Sequence, residues 1–461
     1  MRSQSDVDRM RVRRARLALG LLYGSLGLLV VAFLRLQVAG QAEYTLQSTQ
    51  NRLRAISVPP PRGAIYDRRG RLLAENVPGY SLSLLPGSPD SARATLGRLA
   101  PWLGLTVEER DELHQRFRQR PGSALLVRDD LEPVIVAAIE ERRPEFRMVL
   151  IDTHPRRRYP PGPAIAHVIG YVSEISEAEL EQPEYESYEA GRTVGKKGIE
   201  REYELELGGS PGVRFVEVNA RGSIVGEFGP RPSIPAEPGT DLTLGLDLEL
   251  HLLADSIFPD TMKGGVVALD PQTGEVLLLY SYPTFDPNLF VGGISSPEWA
   301  ALRDDPMQPL LNRALSALYP PGSTWKPVLA SLALRDGLAG IDDYMPSACH
   351  GSLRYGNRSF HCWKHSGHGA LDMSGAIKES CNVFFYQLGQ RIGLDNLLSG
   401  VDGLGFNGRT GIDIPGETGG RFPPTRDWYD ERFGPRGWTE SVTLNLSIGQ
   451  GETEQSLLRM A

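Results

Sequence analysis

Cysteine is scarce in this chain: three residues in 461, Cys349, Cys362 and Cys381. At most one disulfide can form, with one thiol left over. No internal repeat or low-complexity tract is present, so a solenoid or repeat array is excluded. Long apolar runs are nearly absent as well. Leu17 to Leu34 is an uncharged apolar stretch of 18 residues, just long enough to cross a bilayer. Net positive charge is concentrated at the N-terminus. Net charge is −8, but residues 1–16 hold six Arg against two Asp, which leaves −12 for the remainder. An acidic body of this kind excludes a nucleic-acid footprint.

What is present points to a membrane-tethered protein of two or three domains. Arg9, Arg11, Arg13, Arg14 and Arg16 precede the apolar run and predict a cytoplasmic N-terminus, with the bulk of the chain outside the cytoplasm. A retained anchor is expected over 17–36 after a tail of 1–16. The competing reading is a cleaved signal peptide with Val38-Ala39-Gly40 as its weak site. Gly (51) and Pro (35) are somewhat high and imply many turns.

The most informative stretch is Pro320-Pro321-Gly322-Ser323-Thr324-Trp325-Lys326-Pro327. A serine hydroxyl needs a base within hydrogen-bond reach to become a nucleophile at neutral pH. Residues three apart on a helix share a face, so Lys326 can reach Ser323. The Pro-Pro-Gly run suits an abrupt helix start, and Pro327 falls near the first turn. Ser323 would sit at the positive end of that helix, where negative charge on a substrate is favoured. A bare S-x-x-K arises roughly once by chance in a chain of this length. A second motif lies downstream at Ser380-Cys381-Asn382, whose bland reading is helix capping.

Together, S-x-x-K and S-x-N resemble the penicilloyl-serine transferases, and the Pro-Pro-Gly-Ser-Thr-Trp-Lys wording is similar to the penicillin-binding proteins. Arg62-Gly63-Ala64-Ile65-Tyr66-Asp67-Arg68, with Gly70 and Leu73-Ala74, resembles the motif that opens the non-catalytic pedestal of class B penicillin-binding proteins. The blocks at Thr153–Val172 and Gly195–Glu204 resemble the elongation-type penicillin-binding protein 2 branch.

This resemblance implies an α+β fold: one N-terminal transmembrane helix, a pedestal over 37–240, and a transpeptidase domain over 241–461. That domain would hold a central antiparallel sheet and a helical subdomain. It further implies a peptidoglycan D,D-transpeptidase of cell-wall elongation, working through an acyl-serine intermediate with no catalytic cofactor. Ser323 would attack the D-Ala-D-Ala bond of a stem peptide and Lys326 would take its proton. Ser380 would relay a proton to the leaving group, and Asn382 would hold Lys326 and the donor. β-Lactams would mimic the donor. Implied partners are a SEDS-type glycan polymerase and rod-shape morphogenesis proteins, at the inner membrane. The alternative is a non-catalytic penicillin-binding scaffold or β-lactam sensor.

The family's third motif, K-T-G, has no counterpart. Only Thr273-Gly274, Thr410-Gly411 and Thr418-Gly419 approach it. The expectation is a C-terminally truncated transpeptidase domain without normal activity, since one oxyanion donor is worth about 10²–10³ in rate. The three cysteines fall within 33 residues, alongside four of the eight histidines, His350, His361, His365 and His368. Cys349, Cys362, His368 and Cys381 are the expected ligands of a closed structural zinc site. If the S-x-N triplet is extended, Cys381 points away from its neighbours. A disulfide with one free thiol, or three free thiols, remain as alternatives.

Overall fold

A computed structural model describes residues 4–35, 53–85, 87–119, 124–128, 131–189, 191–218, 224–227 and 233–461. Val38-Ala39-Gly40 lies outside these residues. The chain forms two compact units. One comprises Met1–Pro59, Tyr80–Thr153 and Pro211–Ala236; the other comprises Pro60–Gly79, His154–Ser210 and Glu237–Ala461.

The first unit opens with the helix Gln4–Leu34. Its segment Leu17–Leu34 is long and apolar enough to cross a membrane, and none of it is buried. The strand Leu53–Val58 pairs antiparallel with Gly212–Val218, which pairs in turn with Ile224–Glu227. The helix Pro89–Leu103 starts at Ser88, whose side chain accepts from Ser91 N, and stops at Gly104 in a left-handed conformation. The next helix, Val107–Gln119, is entered through a reciprocal pair: Thr106 N donates to Glu109 and Glu109 N donates to Thr106 Oγ1. Leu82, Leu84, Leu96, Leu99, Phe117, Ile139 and Phe146 form the core of this unit.

In the second unit, Ile65–Tyr66 pairs antiparallel with the start of Leu72–Leu84 and parallel with Leu242–Thr243. Asp67 organises the intervening turn: its carboxylate accepts from the backbone of Arg69 and Arg71 and from Leu248 N at the start of the helix Leu248–Ile257. Arg62 bridges Glu200 (2.7 Å) and Glu204 (2.8 Å), and Arg157 bonds Glu200 at 2.6 Å, all buried. A single core therefore joins Ile65, Leu73, Tyr159, Ile169 and Ile199 to Leu246, Leu279, Ala314 and Leu458. These units are drawn differently from the segments 37–240 and 241–461, because residues 60–79 and 154–210 pack with the C-terminal part.

The strands Gly264–Leu269 and Val276–Tyr282 form an antiparallel hairpin, the part of the expected central antiparallel sheet among the described residues. A separate helical region comprises Lys326–Arg335, Met373–Lys378, Asn382–Ile392, Leu394–Gly403 and Val442–Leu446. Trp325, Leu329, Phe385, Leu397, Tyr429 and Leu444 are fully buried within it.

Candidate active site

Gly322, at φ +57°, turns the chain after Pro320-Pro321. Gly322–Trp325 is a tight 3₁₀ turn that runs directly into the helix Lys326–Arg335, with Lys326 N–H on Ser323 O. Trp325 is buried under the turn against Phe406 and Phe422. Ser323 is left exposed above it, at the expected helix start. From the far side, Gly322 N donates to Gly449 O at 2.8 Å. A Cβ on Gly449 would come within 2.3 Å of Gly322 O, so this approach requires glycine. The stretch Ser447–Glu452 thus braces the serine's turn.

Lys326 is 1% exposed. Its Nζ donates to Ser380 O at 2.7 Å, Ser380 Oγ at 3.0 Å and Asn382 Oδ1 at 2.7 Å. An ammonium has three donors, and all three are used. Ser323 Oγ is not among its partners; helical spacing brings the two residues to one face, and the S-x-N motif captures the ammonium. Burial lowers the lysine to about 8, against the opposing pull of Cys362 and Cys381. The neutral fraction is therefore about one-tenth at pH 7, far above that of an ordinary lysine.

The S-x-N triplet is not extended, which corrects the expectation. Ser380 is left-handed at φ +49°, a conformation costly for a residue with a Cβ. Cys381 is the extended N-cap of the helix Asn382–Ile392, and Asn382 is its first residue. The left-handed turn at Ser380, not strand alternation, sends Cys381 inward at 0% exposure. Ser380 closes the helix Met373–Lys378, with its N–H on Ile377 O and Cys381 N–H on Ala376 O, while its side chain and that of Asn382 bind Lys326. Asn382 Nδ2 donates to His361 O at 3.2 Å, which orients its Oδ1 toward the lysine.

The sulfurs of Cys349, Cys362 and Cys381 and a ring nitrogen of His368 all lie within 4.8 Å of one another. No disulfide joins them; all three thiols are free and buried. His368 Nδ1 is 3.5 Å from Cys362 Sγ and 3.7 Å from Cys349 Sγ. Zn–S and Zn–N bonds of about 2.3 and 2.0–2.1 Å at the tetrahedral angle give S···N edges of about 3.5–3.6 Å. The donor set fits zinc. Burial pushes the Cys381 thiol up to about 12. For Cys362 burial acts the same way, but backbone N–H groups of Lys364, Asn382 and Val383 outweigh it and lower the thiol.

Sequence reasoning missed Trp363, whose indole N–H donates to Glu379 O beside Ser380, and Tyr386, whose hydroxyl donates to His361 O. No sequence signal marks either contact. Thr273-Gly274 closes the central hairpin, while Thr410-Gly411 and Thr418-Gly419 lie in loops; none is on a strand beside Ser323.

Residues 57–244 match the penicillin-binding protein dimerisation domain and residues 264–461 the penicillin-binding protein transpeptidase domain. The chain belongs to the penicillin-binding proteins of this two-domain type. It is 36% identical over 454 residues to the peptidoglycan D,D-transpeptidase MrdA of Acinetobacter baumannii, covering 98% of this chain and 67% of that one. It is also 36% identical over 456 residues to MrdA of Escherichia coli K12, covering 98% and 71%. Among solved structures, the PBP2–MreC complex of Helicobacter pylori matches with a TM-score of 0.75 at 28% identity, over 88% of this chain and 76% of that one. A structure on the coordination of polymerization and crosslinking by a peptidoglycan synthase complex matches at 0.69 and 30% identity, over 98% and 76%.

Proposed function

We propose that Ser323 is the acyl-accepting nucleophile of a peptidoglycan D,D-transpeptidase, with Lys326 as its base. The observation that carries this reading is the buried Lys326 Nζ, held by Ser380 and Asn382 beneath an exposed serine. Neutral Lys326 takes the Ser323 proton as Oγ attacks the carbonyl of the D-Ala-D-Ala bond. Ser380 relays a proton to the departing D-Ala nitrogen as that C–N bond breaks. A neighbouring stem's amine then attacks the ester, the new amide forms, and Ser323 leaves with its proton restored. Asn382 positions Lys326 and the donor. A β-lactam acylates the same oxygen. The second reading, a non-catalytic scaffold or sensor, has no observation in its favour.

Cys349, Cys362, His368 and Cys381 would hold a structural zinc. Such an ion supplies cross-linking behind the S-x-N turn and no step of the reaction. Metal analysis tests it: one zinc per chain is expected, and a bridged cysteine pair without zinc would end the idea. We read residues 1–16 as a cytoplasmic tail, 17–36 as a single-pass inner-membrane anchor, 37–240 as the pedestal and 241–461 as the transpeptidase domain. A SEDS-type polymerase and rod-shape proteins are the proposed partners, supported by the MreC-bound and synthase-complex relatives.

Labelling with a fluorescent penicillin, followed by mass spectrometry of the adduct, tests the assignment. The acyl group is expected on Ser323 and lost in Ser323→Ala. Labelling that survives in Ser323→Ala overturns it.

A further inference from the structure

Residues 349–371 contain no acidic residue, in a protein of net charge −8. They carry Arg354, Arg358, Lys364 and four histidines. Arg354, Arg358, His361, Lys364 and His365 are all exposed. No ion pair or side-chain hydrogen bond joins Arg354, Arg358 or Lys364 to an acid among the described residues, although most other arginines of this unit that the fold brings near an acid are paired with it. Unpaired cations gathered in one place on an acidic protein leave a local positive field, with Glu379 as an acid at its base.

Their placement is specific. Arg354 and Arg358 stand on the hairpin Ser352–Tyr355/Arg358–His361. Its turn is Gly356-Asn357, and Gly356 at φ +59° is the glycine that a two-residue turn of this kind needs at its first position. One face of the hairpin, Leu353, Tyr355 and Phe360, packs on the helical core. Arg354 lies across from Ser359, and Ser352 across from His361, on the opposite, exposed face, while Arg358 pairs with Tyr355 on the first face and is exposed at its turn end. The base of the hairpin is tied to the catalytic loop: His361 O accepts from Asn382 Nδ2 and Tyr386 Oη. Trp363, just beyond, bonds the carbonyl of Glu379 next to Ser380. The hairpin is thus a rigid basic arm that starts at the S-x-N wall and reaches about 13 Å from it at roughly 3.4 Å per residue.

We propose that this hairpin is a docking arm for the carboxylate groups of peptidoglycan stem peptides, steering an anionic peptide toward Ser323. The proposal rests on the transpeptidase reading above and deepens it. Charge complementarity selects the occupant. The ligand of that site is a peptide ending in a free carboxylate, and Arg354 and Arg358 offer planar, bidentate donors for such groups. Exposed pairs are individually weak and are screened within about 10 Å at 0.1 M salt, so the arm acts on encounter and orientation rather than on the bond-making step.

The test uses the full chain with soluble uncrosslinked peptidoglycan strands, in native form and with their carboxylates amidated. The variant is Arg354→Ser/Arg358→Ser, with Arg354→Glu/Arg358→Glu as a stronger second. For native strands, the Ser variant is expected to bind about tenfold more weakly than the parent and the Glu variant more weakly still. The parent's affinity should fall with salt while the variants' does not. Amidated strands should bind parent and variants alike. Fluorescent-penicillin acylation of Ser323 should stay within twofold in all of them, which separates this proposal from the catalytic assignment. Unchanged affinity for native strands, equal losses on amidated strands, or displacement by anionic vesicles as effective as by native strands each overturns it. Loss of acylation in the parent would strike the transpeptidase reading instead and leave the strand-binding comparison intact.

Discussion

Lys326 is the base of the proposed mechanism, and its environment makes the pH behaviour testable. Burial lowers its ionisation to about 8. The neutral form is the base, so acylation by a β-lactam should rise with pH, pass its midpoint near 8 and level off above. A flat profile between pH 6 and 9 would show that another group takes the proton. Lys326→Arg, which cannot lose its proton, should lower the acylation rate by about 10²–10⁴. Ser380 offers a second test at this scale. Its left-handed backbone costs about 1 kcal/mol or more for a residue with a Cβ. Ser380→Gly should therefore melt above Ser380→Ala by thermal unfolding, while both lose the hydroxyl that Lys326 contacts and acylate more slowly. Equal melting temperatures would remove the strain argument.

The active-site parts are set by how elements meet. The helix Asn382–Ile392 approaches Val442–Leu446 so closely that a Cβ on Gly389 would fall 1.8 Å from Ser447 Oγ. Gly389→Ala should cost about 1–3 kcal/mol of stability, read by denaturant unfolding. On the other side, Gly449 combines φ +67° with contact to the Ser323 turn. Gly449→Ala should depress acylation strongly while leaving metal content unchanged. Normal acylation would mean that the turn tolerates displacement. The motifs themselves were legible in the sequence, since S-x-x-K and S-x-N depend on local wording. The ammonium's choice of Ser380 and Asn382 over Ser323 was not, because 54 to 56 residues separate those partners.

Across the whole second unit, the buried Arg62–Glu200–Arg157 cluster joins segments 138 and 43 residues apart. Burial alone would raise Glu200, but Arg157 and Arg62 outweigh it and hold its ionisation below the usual carboxylate value of 4.5. A depressed carboxylate contributes stability above its unfolded value, and that contribution is lost as pH falls through the folded one. Melting temperature should thus drop below about pH 4.5 in the parent, and less steeply in Glu200→Gln. That variant should also be destabilised by about 3–5 kcal/mol at neutral pH, because buried Arg157 loses its carboxylate partner and Arg62 keeps only Glu204. A neutral-pH melting temperature equal to the parent's would show that the cluster is not structural.

By itself, the sequence determined the apolar N-terminal helix, the S-x-x-K and S-x-N motifs, the family, and the four residues that converge as a thiol–imidazole cluster. Each is written in short-range patterns: an uninterrupted apolar run, helical spacing, or rare residue types gathered in one window. Only the tertiary structure decided that residues 60–79 and 154–210 share a core with the C-terminal half, that Cys381 turns inward through a left-handed Ser380, and that a basic hairpin stands beside Asn382. Those outcomes depend on burial and on close approach between distant segments. Local spacing does not encode them, because side chains far apart in the chain compete for the same interior volume and the same hydrogen-bond partners.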